Sequence, residues 1–137
     1  LMAGITLNNA GVGAVHALAY PVGAEYHLPH GVANVVTFAP TMDYISIANI
    51  PKFVNLAKAM GEPVEGISSR EAAARGIKAM NNLAERVGLP CRLRDIGATP
   101  DKIPSMATAA FKEKRLLGNT PRQLTEEDIR KIFENSF

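Results

Sequence analysis

The sequence predicts an all-α fold. Apolar side chains recur at three- and four-residue spacing in several stretches, and no stretch shows the strict alternation of apolar and polar residues that a half-buried strand requires. The connections between the helical stretches are short, and no internal repeat or low-complexity segment divides them. We therefore expect residues 1–137 to form a single, bundle-like helical domain of about five to seven helices.

The N-terminal part of the sequence is interpreted as one helix followed by a loop. Residues 1–20 are rich in Ala and Gly, and we expect them to form a helix that Pro21 and Gly23 interrupt. Because Gly costs about 1 kcal/mol relative to Ala in a helix, these small residues are expected to serve the close approach of another backbone. A loop through residues 28–30 then leads to the next helix.

Residues 32–50 form an apolar run in which strand and helix propensity compete. Its β-branched side chains favour a strand, whereas Pro40 inside the run argues against a central strand. We favour a buried helix kinked at Pro40. Pro51 is expected to start a shorter helix that Gly61 ends, because Pro is favoured at a first helical position and Gly just after a last one.

The clearest helix signals lie in the C-terminal half. Ser68 and Glu71 match a capping box, and an apolar stripe runs from there towards Gly88, which ends the helix. The stripe consists of Ala73, Ile77, Met80, Ala84 and Val87. A further helix is predicted over residues 101–114, and the last one follows a cap at residues 125–128. The buried face of that last helix is expected to consist of Ile129, Ile132 and Phe133.

Composition and charge are those of a globular domain and exclude several classes of partner. The apolar fraction is 47%, the charged fraction is 20% and the net charge is +2. Lys and Arg are interleaved with Asp and Glu, so no basic stripe predicts binding to nucleic acid or to a membrane surface. No apolar run is long enough to span a bilayer, and no charged n-region followed by an apolar h-region predicts a signal peptide in these residues. Cys91 is the only cysteine, so a reducing, cytoplasmic setting is expected.

All three histidines lie within residues 10–40. His16 falls among small apolar residues on a predicted helix, one turn before Tyr20, and His30 lies in a Pro-His-Gly turn before the next helix. Imidazole is a good ligand for Zn²⁺, Fe²⁺ and other first-row metals. If the intervening loop folds back, His16 and His30 meet, and we interpret the stretch as half of a metal site.

Each of these side chains also has an ordinary structural explanation. A single His on an apolar helix face is more often a core residue with one hydrogen bond, and a His between Pro and Gly is often a turn residue. Tyr20 would then be a core aromatic and His27 a loop residue. A zinc site made from His16, His27 and His30 alone is a further interpretation, weaker because His27 and His30 share one Pro-containing loop.

The arrangement resembles a signature of the iron-containing (group III) alcohol dehydrogenase family. In that family an NAG-x-G-x-x-HA segment precedes PHG-x-x-N and an apolar run ending in Pro. The matching residues here are Asn9-Ala10-Gly11, Gly13, His16-Ala17, Gly23, Pro29-His30-Gly31, Asn34 and Pro40. A second segment, similar to the family's NPR-x-x-T-x-x-D ending, consists of Asn119 to Arg122, Thr125 and Asp128. The resemblance therefore covers essentially the whole sequence.

The resemblance implies a dehydroquinate synthase-like enzyme with an N-terminal nucleotide-binding domain and a C-terminal helical domain. Such enzymes oxidise an alcohol reversibly with NAD or NADP, and a divalent metal, most often Fe²⁺ and sometimes Zn²⁺, lies between the domains. One Asp and three His bind the metal, and His16 and His30 match two of these histidines. The Asp and the third His belong to a D-x-x-x-H motif that this sequence lacks, as it also lacks the Gly-rich nucleotide loop.

On this interpretation residues 1–137 are the C-terminal part of a longer enzyme and are inactive on their own. Leu1 already lies in a predicted helix with no initiator Met before it, which agrees with that expectation. The full enzyme would act on a small-molecule alcohol or aldehyde, bind NAD or NADP mainly through the missing domain, and form a homo-oligomer. The alternative is a non-catalytic helical domain whose exposed face is an interdomain or subunit interface.

Some positions depart from the family pattern. Many members carry a second His one turn after the first, facing the nicotinamide or the substrate, where this sequence has Tyr20; a Tyr donates a hydrogen bond but does not titrate near neutral pH. Thr120 is inserted between Asn119 and the Pro that usually follows it. Tyr20 is expected to line the substrate or cofactor cleft, and His27 to be either a polar group near it or a loop residue. No catalytic residue is assigned.

Overall fold

The computed structural model describes all of residues 1–137 and is helical throughout, with no β-strand. Two short 3₁₀ helices, Leu93–Ile96 and Pro100–Lys102, separate the fifth and sixth α-helices. No helix has both the length and the apolar character needed to cross a bilayer. The α-helices are α1 (Met2–Ala10), α2 (Ala14–Tyr26), α3 (His30–Ser46), α4 (Ile50–Ala59), α5 (Ser69–Arg86), α6 (Ile103–Phe111), α7 (Lys114–Gly118) and α8 (Glu126–Asn135). The all-α prediction is confirmed.

The predicted single helix over residues 1–20 is wrong, because the chain breaks between α1 and α2. Gly11 has a φ of 71°, a left-handed conformation that Gly adopts at no steric cost. Gly13 has φ −120° and ψ −146°, also outside the helical region. The break directs α1 away from the body of the protein, and none of its residues is buried.

The predicted interruption at Pro21 and Gly23 is also wrong, since α2 continues through both residues. Pro21 has no N–H to donate to the preceding turn, which normally weakens a helix. Here α2 is packed between α3 and α6, and burial of its small side chains offsets the missing bond. Gly23 faces α3, where a Cβ would lie 3.5 Å from that of Ala33, so small residues meet at this crossing.

The apolar run after His30 forms α3, as the helix prediction requires, and it passes through Pro40 without ending. Two of its buried residues are threonines whose hydroxyls need partners. Thr41 donates to the carbonyl oxygen of Thr37 at 2.6 Å, and Thr37 donates to that of Ala33 at 3.4 Å. Both hydroxyls find their partners within the helix, so the two threonines can be buried in α3 without an unpaired donor. Burial of this segment as a helix therefore overrides the strand that propensity alone would favour.

Helices α4 and α5 form the most extensive helix pair. The Ser68 hydroxyl accepts a hydrogen bond from the Glu71 amide at 3.2 Å, which confirms the predicted start of α5. Gly76 lies against the backbone of Ala57 in α4: a Cβ at position 76 would come within 2.9 Å of both the Ala57 nitrogen and Cα. The close contact between these helices therefore depends on the absence of a side chain at position 76.

The C-terminal segments close the core. The helix predicted over residues 101–114 is divided into a 3₁₀ turn, α6 and α7, whereas α8 has the predicted cap and buried face. The Thr125 hydroxyl accepts from the Asp128 amide at 3.1 Å, and the Asp128 carboxylate accepts from the Thr125 amide at 2.9 Å. The larger side chains that are almost wholly buried include Leu18, Leu93, Leu116, Ile129, Ile132 and Phe133.

Candidate metal centre

Two histidine rings meet where α2 and α3 pack together. His16 lies in the first turn of α2, and His30 is the first residue of α3. The connection between the helices is short and turns at His27, a left-handed residue with a φ of 51°. As a result the ring centroids of His16 and His30 lie 5.2 Å apart, with an angle of 53° between the ring planes. The loop therefore folds back as the sequence analysis required.

The spacing of the two rings fits a shared metal ion. With metal–nitrogen distances of about 2.0–2.1 Å, two imidazoles on one tetrahedral ion have ring centroids about 5 Å apart. No group of three or more His, Cys, Asp or Glu side chains is placed to hold a metal. The zinc site of His16, His27 and His30 is therefore not formed, and a complete coordination shell needs ligands from outside these residues.

The surroundings of His16 favour its neutral form. Its side chain is partly buried, and this burial, followed by the effect of a charged His30 nearby, lowers the pKa of His16 below the ordinary value. A metal binds the lone pair of a neutral imidazole, so a lowered pKa reduces competition from protons. His30 is more exposed and lies at the surface beside it.

Asn34 lies one turn after His30 and contacts it twice. Its side-chain nitrogen donates to the His30 carbonyl oxygen at 2.8 Å and lies 3.1 Å from Nε2 of the His30 ring. Its oxygen, Oδ1, is buried without a hydrogen-bond partner. Asn34 matches the family pattern, but no role was predicted for it from the sequence. The four-residue spacing from His30 was the available signal, because residues so spaced meet on a helix.

Tyr20 lies on the same side of the structure as the two histidines. Its ring centroid is 5.9 Å from that of His30, and 42% of the residue is exposed. It is therefore not a core aromatic, which rejects the ordinary structural explanation for this side chain. His27 is also exposed, and its backbone conformation ends α2.

An apolar cleft of about 410 Å³ adjoins His16. One wall is a face of α3, and the opposite wall is formed by the break between α1 and α2 and by the segment after α7. The α3 wall consists of Asn34, Phe38, Met42 and Ile45. This wall was not predicted from the sequence, although the three- and four-residue spacing of its members is typical of a shared helix face. The cleft can hold the apolar part of a small molecule next to the His16 imidazole.

Arg122 and Asp128, in the second family-like segment, have a structural role away from the histidine pair. The Arg122 guanidinium lies 3.7 Å above the Tyr44 ring and donates to the Tyr44 carbonyl oxygen at 2.8 Å. Burial, and then the neighbouring Asp128 carboxylate, raise the pKa of Tyr44. Burial alone would raise the pKa of Asp128 as well, but hydrogen bonds from Thr125 and Tyr44 and the charge of Arg122 outweigh it and lower that pKa. The segment thus joins α3 to the start of α8.

Comparison with known proteins assigns the chain to a family. Residues 1–137 match the family described as "Fe-containing alcohol dehydrogenase family, C-terminal". The chain is 41% identical, over 137 residues, to the 1,3-propanediol dehydrogenase of Klebsiella pneumoniae, covering 100% of this chain and 35% of that protein. It is 38% identical, over 136 residues, to the lactaldehyde reductase of Escherichia coli (strain K12), covering 99% of this chain and 35% of that protein.

Solved structures support the same family assignment. The chain superposes with a TM-score of 0.94 and 40% identity on a crystal structure of 1,3-propanediol oxidoreductase, covering 100% of this chain and 36% of that one. It superposes with a TM-score of 0.93 and 42% identity on an alcohol dehydrogenase from Oenococcus oeni, covering 98% of this chain and 35% of that one. The chain thus spans about a third of the length of these relatives. It belongs to the iron-containing alcohol dehydrogenase family and matches the C-terminal part of its members.

Proposed function

We propose that this chain is the C-terminal helical domain of an NAD- or NADP-dependent alcohol dehydrogenase, and that His16 and His30 are two ligands of its divalent metal. The observation that carries the proposal is the 5.2 Å separation of the two rings, in the histidine pattern of a family described as iron-containing. We propose Fe²⁺ as the native metal, because the family is described as Fe-containing, and Zn²⁺ as the second choice. Both metals accept imidazole ligands. The remaining ligands and the nucleotide site would lie in the rest of the enzyme.

Each residue of the site then has a proposed role. A bound metal would act as a Lewis acid on the oxygen of the alcohol or aldehyde, while the nicotinamide carries the hydride. Burial lowers the pKa of His16, which favours the neutral imidazole whose lone pair can bind a metal. The Asn34 side chain donates a hydrogen bond to the main-chain carbonyl oxygen of His30 and so restrains this residue. The exposed Tyr20 ring lies beside that of His30, and its hydroxyl can donate a hydrogen bond to substrate or cofactor.

The relatives support a small-molecule substrate. Their names refer to 1,3-propanediol and lactaldehyde, both small oxygenated compounds. The cleft beside His16, at about 410 Å³, is compatible with substrates of that size and with somewhat larger alcohols. We propose reversible oxidation of a small alcohol to an aldehyde or ketone, in a homo-oligomeric, cytoplasmic enzyme.

The ligand assignment is tested in the full-length protein with His16→Ala and His30→Ala. Each variant is expected to lose both the bound metal and dehydrogenase activity, because removal of one imidazole opens the coordination shell. His27→Ala is the matched control, since it removes an exposed imidazole at the opposite end of α2 from His16 and is expected to retain both. Metal is measured by elemental analysis after desalting. An active, metal-replete His30→Ala enzyme would rule out the assignment.

Residues 1–137 alone are expected to bind metal weakly or not at all, because two imidazoles are too few for a tight site. The protein would be exposed to Fe²⁺ or Zn²⁺, desalted and analysed for metal. Stoichiometric metal that is retained by the 137-residue chain and lost in His16→Ala would show that the site is complete without the rest of the enzyme.

A second candidate function is an interface domain without catalysis. It is favoured by α1, which buries none of its residues and exposes the apolar side chains of Met2, Ile5 and Leu7 by 84%, 55% and 53%. Exposed apolar surface of this kind usually marks a contact with another domain or subunit. The two functions are separated by the full-length sequence: a D-x-x-x-H motif and a Gly-rich nucleotide loop upstream support the dehydrogenase, and their absence supports the interface domain.

A further inference from the structure

The helix that carries His16 is capped by a residue from the far end of the chain. The residue before α2 is Gly13, which has no side chain to accept a hydrogen bond from the first turn. The hydroxyl oxygen of Thr120 takes that place, accepting from the Ala14 amide at 3.0 Å. Thr120 is only 6% exposed, and its hydroxyl lies 3.5 Å from the Leu116 carbonyl oxygen, to which it donates.

Asn119, the residue before Thr120, also contacts the break between α1 and α2. Its side-chain nitrogen donates to the Val12 carbonyl oxygen at 3.1 Å. Glycine in the break leaves room for this approach: a Cβ at Gly11 would lie 2.7 Å from the Asn119 nitrogen, and one at Gly13 would lie 3.2 Å from the Thr120 hydroxyl. The break and the segment after α7 therefore fit each other at close range, with hydrogen bonds at both positions.

The first turn of α2 transmits this contact to His16. The His16 amide donates to the Gly13 carbonyl oxygen at 3.1 Å, and Ala14, which Thr120 holds, lies two residues before His16. His30 enters the site from α3, a different helix, so the distance between the imidazoles depends on where α2 begins. We propose that Thr120 is a positioning residue, whose buried hydroxyl fixes the first turn of α2 and thereby sets His16 against His30 for metal binding. This rests on the proposed function of the two histidines.

The test is the rate at which the full-length, Zn²⁺-loaded protein loses metal to an excess of chelator. Thr120→Val removes the acceptor at nearly constant volume, and we expect the rate to rise by about 10- to 100-fold, the usual effect of altering a group that orients a metal ligand. Thr120→Ser retains the hydroxyl and should stay within about twofold of the parent. Thr41→Val is the matched control: it removes another buried threonine hydroxyl, bonded only within α3, and should leave the rate unchanged.

A rescue variant distinguishes loss of the cap on α2 from a general loss of folding when the Thr120 hydroxyl is removed. In Thr120→Ala the hydroxyl is gone, and the next atoms that a Cβ at position 13 would meet are 3.9 Å away. Gly13→Ser added to Thr120→Ala therefore fits and supplies a local cap to the same turn. The double variant is expected to lose metal more slowly than Thr120→Ala alone. An equal rate for the two would count against positioning through the first turn of α2.

The outcomes separate this inference from the ligand assignment. If His16→Ala releases metal quickly while Thr120→Val releases it at the parent rate, His16 remains a ligand and the positioning role of Thr120 is overturned. If His16→Ala itself retains metal like the parent protein, the ligand assignment fails and the positioning role fails with it. Faster release from Thr120→Val, with Thr120→Ser and Thr41→Val unchanged, supports the proposal.

Discussion

Gly76→Ala should weaken the α4–α5 pair, although alanine is the better helix former. The new Cβ would lie 2.9 Å from the nitrogen and Cα of Ala57, where ordinary contacts are about half an ångström or more longer. These are backbone atoms that no rotamer change can move, so the helices must separate. Overpacking of this kind costs about 1–3 kcal/mol, and the gain in helix propensity returns about 1 kcal/mol. With the cost near the upper end of its range, we expect a net loss of about 1–2 kcal/mol.

Hydrogen exchange in the full-length protein measures this loss where it occurs. Amides of α4 and α5 should exchange about 5- to 30-fold faster in Gly76→Ala, since local opening becomes easier by that free energy. Gly31→Ala is the matched control: it is also a helical glycine, but no atom lies within 4 Å of the new Cβ, so exchange should be unchanged or slower. Exchange in Gly76→Ala that is as slow as in the parent would refute the steric argument.

Three further predictions concern α8. Phe133→Ala should lower the free energy of unfolding by about 3–5 kcal/mol, measured by chemical denaturation, because the ring is fully buried. Thr125→Ala should cost about 1 kcal/mol in the same assay through loss of the cap, and Thr125→Ser should not. The pKa of Asp128 is lowered by folding, so its ionised form stabilises the protein above the unfolded pKa of about 3.9, and this contribution disappears as the pH falls through the folded pKa. The acid-induced loss of stability should therefore be smaller in Asp128→Asn.

Local signals in the sequence predicted α5 and α8 well. Ser68 and Thr125 have side chains that cap the following turn, and α8 buries its predicted apolar face. Of the stripe predicted for α5, only Ala73 and Ile77 are buried, whereas Val87, just after the helix, is 65% exposed. In these helices the decisive interactions lie within a few residues, so they can be recognised without knowledge of the fold. The start of each helix agrees with its cap.

The errors occurred where tertiary packing decides the structure. Pro21 and Gly23 are helix-breaking residues by local criteria, yet α2 continues through them because α3 and α6 cover it. The break at Gly11 was missed because Asn119, which packs against it and hydrogen-bonds to Val12, is more than 100 residues away along the chain. The meeting of His16 and His30 was expected from a resemblance to a family, since a spacing of fourteen residues gives no geometric preference of its own.

The α3 wall of the cleft also depends on packing between segments that are distant in the sequence. Phe38 and Met42 share a face of α3, and that face was visible as a spacing pattern in the sequence. Whether such a face enters the core or borders a cleft depends on what packs opposite it. Here the opposite wall contains Thr120, whose position no local pattern indicates.

The contact between Thr120 and Ala14 also bears on the order of events during biosynthesis. The two residues are 106 positions apart, and a ribosome adds about 5–20 residues each second. The acceptor for the Ala14 amide is therefore made roughly 5–20 s after the amide itself. During that interval both imidazoles have been synthesised, but the helix bearing the first of them lacks its anchor. Metal capture that needs this anchor must accordingly wait until Thr120 has been translated.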